Sequence, residues 1–313
     1  MTSTTEPIRS DRHKRDGMHE DPTTKPRVQR RGVFEYVTWA VCVLVAIGVT
    51  RTLIVNENYQ WDVVAQYITA PSILRGLFLT IVLTFLVMFF GSVLGVIIAV
   101  LRVSPLRPLR ILAGAYLTFF RGTPVLVQLI FWFNIAALYP ELAIGIPFTD
   151  ISQDIDVNRL ISAMTAAVLG LSLNQAAYQA EIVRGGFASV DKGQTEAAEA
   201  LGMSRLTILR RITIPQAMPT IVPATGNQFI GMFKETSLVS VLGVAELLQS
   251  VQLVYARTYQ TIPLLLVACI WYLVMTVLLS YPQSMIEKKF SHTRARVNND
   301  PAPPQIALMG DAK

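Results

Sequence analysis

Six apolar stretches, each long enough to cross roughly 30 Å of hydrocarbon, alternate with polar segments along this 313-residue chain. The first, Val33 to Val55, is too long for the apolar core of a signal peptide and lies well inside the chain. Leu77 to Leu101, Ile111 to Tyr139, Leu160 to Ile182, Ala217 to Leu242 and Pro263 to Tyr281 follow. The third stretch is interrupted by Arg121-Gly122-Thr123-Pro124, a pattern compatible with one kinked helix or with a short interfacial helix turning into the span. The fifth holds Pro219, Pro223, Gly226, Asn227, Gln228, Lys234 and Glu235. A helix broken in that way is tolerated in a membrane only against protein or a water-filled cavity.

The connecting segments differ in character. Asn56 to Pro71 interleaves polar residues with Tyr59, Trp61 and Tyr67, as expected at a membrane surface. Pro140 to Asn158 carries Glu141, Asp150, Asp154 and Asp156 but no Lys or Arg, and reads as an acidic external loop. Val244 to Thr261 reads as a mixed external segment. No internal repeat is visible. Within the second span, Gly91 and Gly95 form a GxxxG pair, which either admits another helix at close range or is ordinary packing glycine.

One polar island, residues 188–215, separates the fourth and fifth spans. Asp191 and Gln194 stand at capping-box spacing, and Glu196 to Leu201 are strong helix formers. Gly202 is suited to end that helix. Ser204 can cap a second helix, Arg205 to Ile214, punctuated by Pro215.

Composition supports the membrane reading, with 52% hydrophobic and only 15% charged residues and a mean hydropathy of +0.45. The formal charge of +6 does not point to nucleic acid, because the cations lie in tails and between apolar segments rather than on one face. Of the 27 Lys and Arg, only Arg51, Arg75, Arg159 and Arg257 fall on the side opposite the tails, with Arg121 and Lys234 inside apolar stretches. That asymmetry places both tails and the polar island in the cytoplasm. Residues 1–32, rich in Thr, Pro, Arg and Asp, read as a disordered basic tail, and residues 290–313 as a polar one. Cys42 and Cys269 sit in apolar runs and the three His in the tails, so neither a structural disulfide nor a metal centre is expected.

The sequence Glu196-Ala197-Ala198, then Gly202, then Ile212-Thr213-Ile214-Pro215 resembles the EAA loop of bacterial ABC importer permeases. Further stretches resemble the branch that moves polar amino acids such as His, Glu, Gln, Arg and opines. These are Arg121-Gly122-Thr123-Pro124-Val125 with Gln128, Leu173 to Tyr178 with Glu181, Arg184-Gly185-Gly186, Gly226-Asn227-Gln228 and Lys234 to Val241. The resemblance spans residues 73–289, with residues 33–55 as an extra N-terminal helix. Asp191 departs from the pattern, since such permeases often have Pro there.

The resemblance implies an all-α membrane protein with the type I importer permease fold, a five-helix core plus the N-terminal helix, in a bacterial cytoplasmic membrane. It implies a coupling helix, carried by Glu196, Ala197, Ala198, Gly202 and Pro215, that docks on a separate ATP-binding subunit. It further implies two permease subunits, identical or paired with a close relative, two ATP-binding subunits holding ATP and Mg, and an external solute-binding protein that delivers an amino acid. The chain itself has no GxxxxGK[ST] phosphate loop, nucleophile elbow or metal-ligand cluster, so neither bond-breaking nor a bound cofactor is expected in it. An ion-coupled secondary transporter is the alternative, in which buried carboxylates and broken helices would also be natural.

Candidates for the substrate path are the polar groups within apolar stretches. Asn174 and Tyr178 are i and i+4 on one helical face, with Gln175 i+3 from Tyr178. They either line the path or make interhelical hydrogen bonds at a dimer interface. Arg121, Gln128, Asn227, Lys234 and Glu235 join them, because a charge or amide at apolar depth is paired or faces a cavity. Glu181 and Arg184, one turn apart, read more simply as an ion pair.

Overall fold

The computed structural model describes residues 32–145 and 152–299. The N-terminal tail, the middle of the acidic loop and the end of the C-terminal tail fall outside the described residues. The chain divides into two compact units, Met1–Glu57 and Asn58–Lys313. The first contains α1, Val33–Val55, a 23-residue helix apolar on all sides, as suits a segment that can face lipid all round.

The second unit begins with α2, Trp61–Tyr67, and α3, Pro71–Arg102, whose first turn carries Pro71 where no backbone N–H is needed. Then come α4, Arg107–Gly122, and α5, Val125–Phe133, followed by a hairpin of β1, Glu141–Gly145, and β2, Ser152–Asp156, paired antiparallel. This hairpin is a small exception within an otherwise helical fold and occupies the expected acidic loop. A short α6, Val157–Leu160, leads to α7, Ala163–Ala188, then α8, Lys192–Ala200, and α9, Arg205–Ile208. The chain finishes with α10, Ile214–Glu235, α11, Leu247–Thr258, and α12, Thr261–Asn299. The expected polar tail therefore begins as helix.

α1, α3 and residues Thr261–Phe290 of α12 are long and apolar enough to cross a membrane. Two bent pairs bring that number to five: α4 with α5, bent by 103°, and Arg205–Leu242 with α11, bent by 46°. α7 is the remaining helix of spanning length, with 26 residues or about 39 Å. It is less apolar than the others because it runs through the middle of the bundle, where Gly170, Ala176, Ala177 and Gly186 meet protein rather than lipid.

The helices alternate in direction, and the contacts fix which ends coincide. Gly91 and Gly95 of α3 lie against Gln175 and Gln179 of α7, so these two helices run parallel. A Cβ at Gly91 would come within 2.7 Å of Gln175 Cγ, and one at Gly95 within 2.8 Å of the Ala176 carbonyl oxygen. The GxxxG pair is thus a seat for another helix of the same chain. α10 runs back along α7, with Gln228 beside Gln175, Thr225 beside Gln179 and Ile221 against Gly186. α12 is antiparallel to α10, pairing Phe233 with Tyr272 and Asn227 with Glu287. The α3–α4 turn, the α8–α9 loop and the distal half of α12 consequently share one end of the unit. α2, the start of α3 and α11 occupy the other, held by a cluster of Ile73, Leu247, Val251 and Leu264.

α11 adds a buried helix to Val244–Thr261, which the sequence reads as a mixed external segment. Leu247 and Val251, i and i+4, are fully buried, and that helical stripe draws the segment into the bundle.

Candidate functional site

The polar island folds as two short helices around one tight turn. The Asp191 carboxylate accepts from Gly193 N at 2.7 Å and starts α8. Gln194 completes no capping box in the side-chain contacts; its Oε1 accepts from Gln216 Nε2 at 3.3 Å instead. At the other end Gly202 has φ +73°. Gly202 N donates to Glu199 O at 2.9 Å and Met203 N to Ala198 O at 3.1 Å, the paired bonds of a Schellman cap. Ser204 then caps α9, accepting from Thr207 N.

Pro215 does not stop the second helix as its sequence position suggested. The chain passes from α9 through one π-helical turn, Leu209–Thr213, into α10, and Pro215 falls in the first turn of α10. The wider turn relieves the clash and missing donor that a proline brings to a continuous helix. Ala198 and Ile208 are buried, while Glu196, Ala197, Leu201 and Leu206 are exposed. α8 therefore presents a mixed acidic and apolar face outward.

The second constellation forms at the α4–α5 break. Phe120 O has no backbone donor four residues on, because position 124 is proline. Two side-chain amides replace it: Asn174 Nδ2 at 2.9 Å and Gln128 Nε2 at 3.1 Å. Gln128 Nε2 also donates to Thr123 Oγ1 at 2.7 Å, and Gln128 Oε1 accepts from Asn174 Nδ2 at 3.1 Å. This buried network holds the sharp bend and resolves the two sequence readings in favour of a short helix turning into the span.

In front of the bend lies a cavity of about 330 Å³ lined by Arg121, Thr123, Asn174, Tyr178 and Glu235 among others. The Arg121 guanidinium sits 5.8 Å from the centre of the Tyr178 ring. It also lies 3.6 Å from Glu181, which is held more tightly by Arg184 at 2.8 Å. Glu235, on the same lining, makes no hydrogen bond or salt bridge among the described residues, and the nearby charge acting on it is that of Lys234. The cavity thus offers a cation, a carboxylate and an aromatic face.

The other candidates lie elsewhere. Gln128 stands behind the cavity. Gln175 is fully buried, accepting from Gln228 Nε2 at 3.0 Å. Asn227 donates to Glu287 at 3.0 Å towards the α8 end, and Lys234 is exposed outside the cavity lining.

Sequence reasoning missed Glu246. This fully buried carboxylate caps α11, accepting from Gln249 N at 2.8 Å, Leu248 N at 3.0 Å and Tyr272 Oη at 3.0 Å. Thr80 Oγ1 adds a contact at 3.4 Å from α3. Its signal was a lone acid four residues before Ser250 and just after Gly243, which is in the left-handed region at φ +77°. Glu246→Gln is expected to destabilise the fold by about 2 kcal/mol, since the amide NH₂ would face donors rather than accept from them. Thermal unfolding of the purified variant checks this; an unchanged midpoint would remove Glu246 as the clamp of α11.

The family model for the inner membrane component of binding-protein-dependent transport systems matches residues 91–292. The chain belongs to this family. Among curated relatives, this permease is 41% identical over 261 residues to the arginine transport system permease protein ArgU of Corynebacterium glutamicum, covering 82% of this chain and 79% of that one. It is 36% identical to the putative glutamine transport system permease protein GlnP of Rickettsia conorii, over 69% of this chain and 92% of that one. Among solved structures, a chain from an amino acid ABC transporter crystallised with histidines superposes with a TM-score of 0.61 at 36% identity, covering 70% of the permease and 94% of that chain. Membership sets aside the ion-coupled secondary transporter and identifies the bundle as a type I ABC importer permease.

Proposed function

We propose that this permease forms the membrane path of an ATP-driven importer for α-amino acids, with the cavity at the α4–α5 break as its substrate site. The observation that carries this reading is the placement of Arg121 and Glu235 around one small cavity. An α-amino acid is a zwitterion, and opposite charges set apart can take its carboxylate and ammonium groups at once. Relatives named for arginine and for glutamine differ in side-chain charge, so what their substrates share is this zwitterion. Asn174, fixed by Phe120 and Gln128, and the Tyr178 ring would shape the remainder of the site.

In this reading ATP and Mg are held by a separate pair of ATP-binding subunits, and the exposed face of α8, with Glu196, Ala197 and Gly202, receives their motion. A solute-binding protein delivers substrate at the α11 end, and a second permease chain completes the path. Arg102, Arg107, Arg110, Arg205, Arg210, Arg211, Lys288 and Lys289 gather at the α8 end, which supports a cytoplasmic position for that end and for the C-terminus.

The test is equilibrium binding of a labelled amino acid to the purified permease without its binding protein. The amide, lacking the carboxylate, and the desamino acid, lacking the ammonium group, are each expected to compete at least ten-fold more weakly. Equal competition by both would overturn the zwitterion site.

A further inference from the structure

At the end of the unit away from α8, the cations are few: Arg75, Arg159 and Arg257. Arg159 lies 3.4 Å from Asp156. Arg75 and Arg257 have no acidic partner among the described residues, yet they line the same cavity, about 650 Å³ between α2, α3 and α11. Tyr67, Ser72, Ser250 and Thr258 add hydroxyl groups to its wall. Arg75 Nε donates to Pro71 O at 3.1 Å, which anchors the guanidinium and leaves its terminal nitrogens for the cavity.

A single arginine at a membrane boundary is explained by its stem lying on apolar surface with its head in water. Two exposed arginines on the wall of one cavity that also carries hydroxyl groups form a place for an anion between them. The surroundings say what kind of anion. Leu79, Leu253 and Val254 form the apolar part of the wall, and Phe78, one turn from Arg75 on α3, is 68% exposed. Tyr59 and Trp61, stacked at 5.9 Å on the same end of the unit, mark an interfacial level. A ligand matching these walls would be anionic at one end and apolar along the other.

We infer that this cavity binds the phosphodiester of an anionic phospholipid, held between Arg75 and Arg257, with its acyl chains along the Phe78 side of α3. Arginine suits this role because its planar fork matches a phosphate. The site is separate from the amino-acid cavity and does not depend on that assignment.

The experiment embeds the purified full-length permease in nanodiscs of phosphatidylcholine doped with phosphatidylglycerol and counts retained phosphatidylglycerol by native mass spectrometry. Arg75→Gln with Arg257→Gln is expected to retain roughly ten-fold less than the wild type, while Arg159→Gln retains as much. Equal retention by the double variant overturns the inference, including where that variant instead loses association with a second permease chain, which would assign the arginines to a protein contact. Binding of free glycerol phosphate as tightly as the lipid would also overturn it, since the apolar wall would then contribute nothing. Should the double variant fail to fold, phosphatidylglycerol with a photoreactive headgroup decides the matter on the wild-type chain. Crosslinks within 67–79 and 245–258 support the site, and crosslinks confined elsewhere refute it.

Discussion

Gly202→Val is expected to reduce ATP-dependent uptake at least ten-fold while the chain still folds and inserts. A Cβ at Gly202 would meet nothing within 4 Å, so space is not the obstacle; the obstacle is φ +73°. A β-branched residue in that region costs about 1–2 kcal/mol. The turn can escape the strain only by giving up the Gly202–Glu199 and Met203–Ala198 bonds that fix α8 against α9. The outward face of Glu196, Ala197 and Leu201 then loses its fixed orientation, and in the proposed coupling role a motor subunit pushing on it would move a loose loop rather than the bundle. Gly202→Asn, which tolerates the left-handed region, is expected to stay near wild type. Uptake and ATP hydrolysis stimulated by the binding protein, measured in vesicles, check both variants. Wild-type coupling in Gly202→Val would remove α8 as the coupling element.

Neutralising either charge of the cavity at the α4–α5 break is expected to be more severe for transport. Arg121→Gln and Glu235→Gln should each lower uptake about a hundred-fold, the equivalent of losing one charge-assisted contact of about 3 kcal/mol. Lys234→Gln, one residue away but outside the cavity, should change little. Initial uptake rates across substrate concentrations measure this, with complex assembly followed by size. If both cavity variants transport at wild-type rates, the substrate passes elsewhere and Arg121 is only the partner of Glu181.

The sequence made some of this legible and hid the rest for physical reasons. Asp191, Gly202 and Ser204 act through neighbours two to five residues away, so their caps could be read directly from the chain. Apolar run lengths pointed to α1, α3 and α12, each long and apolar enough to cross a bilayer of fixed thickness. The bend at Pro124 left two readings open, since its resolution depends on Asn174, 54 residues from Phe120. Glu246 caps α11 through Leu248 and Gln249, as near in the chain as the caps that could be read; only its burial against Tyr272 and Thr80, 26 and 166 residues away, was hidden. Of the eight proposed path residues, Arg121, Asn174, Tyr178 and Glu235 converge on one cavity. Helical periodicity linked only Asn174 and Tyr178, because the other two arrive from α4 and α10.

The parallel seam between α3 and α7 also sets a timetable for biogenesis. Gly91 and Gly95 are synthesised roughly 80 residues before Gln175 and Gln179, an interval of about 4–16 s at ordinary elongation rates. During that time α3 sits in the bilayer with its glycine groove unfilled by its own chain. Acyl chains or the insertion machinery must occupy the groove and then leave it, so assembly of this bundle ends with a displacement rather than with a simple threading of successive hairpins.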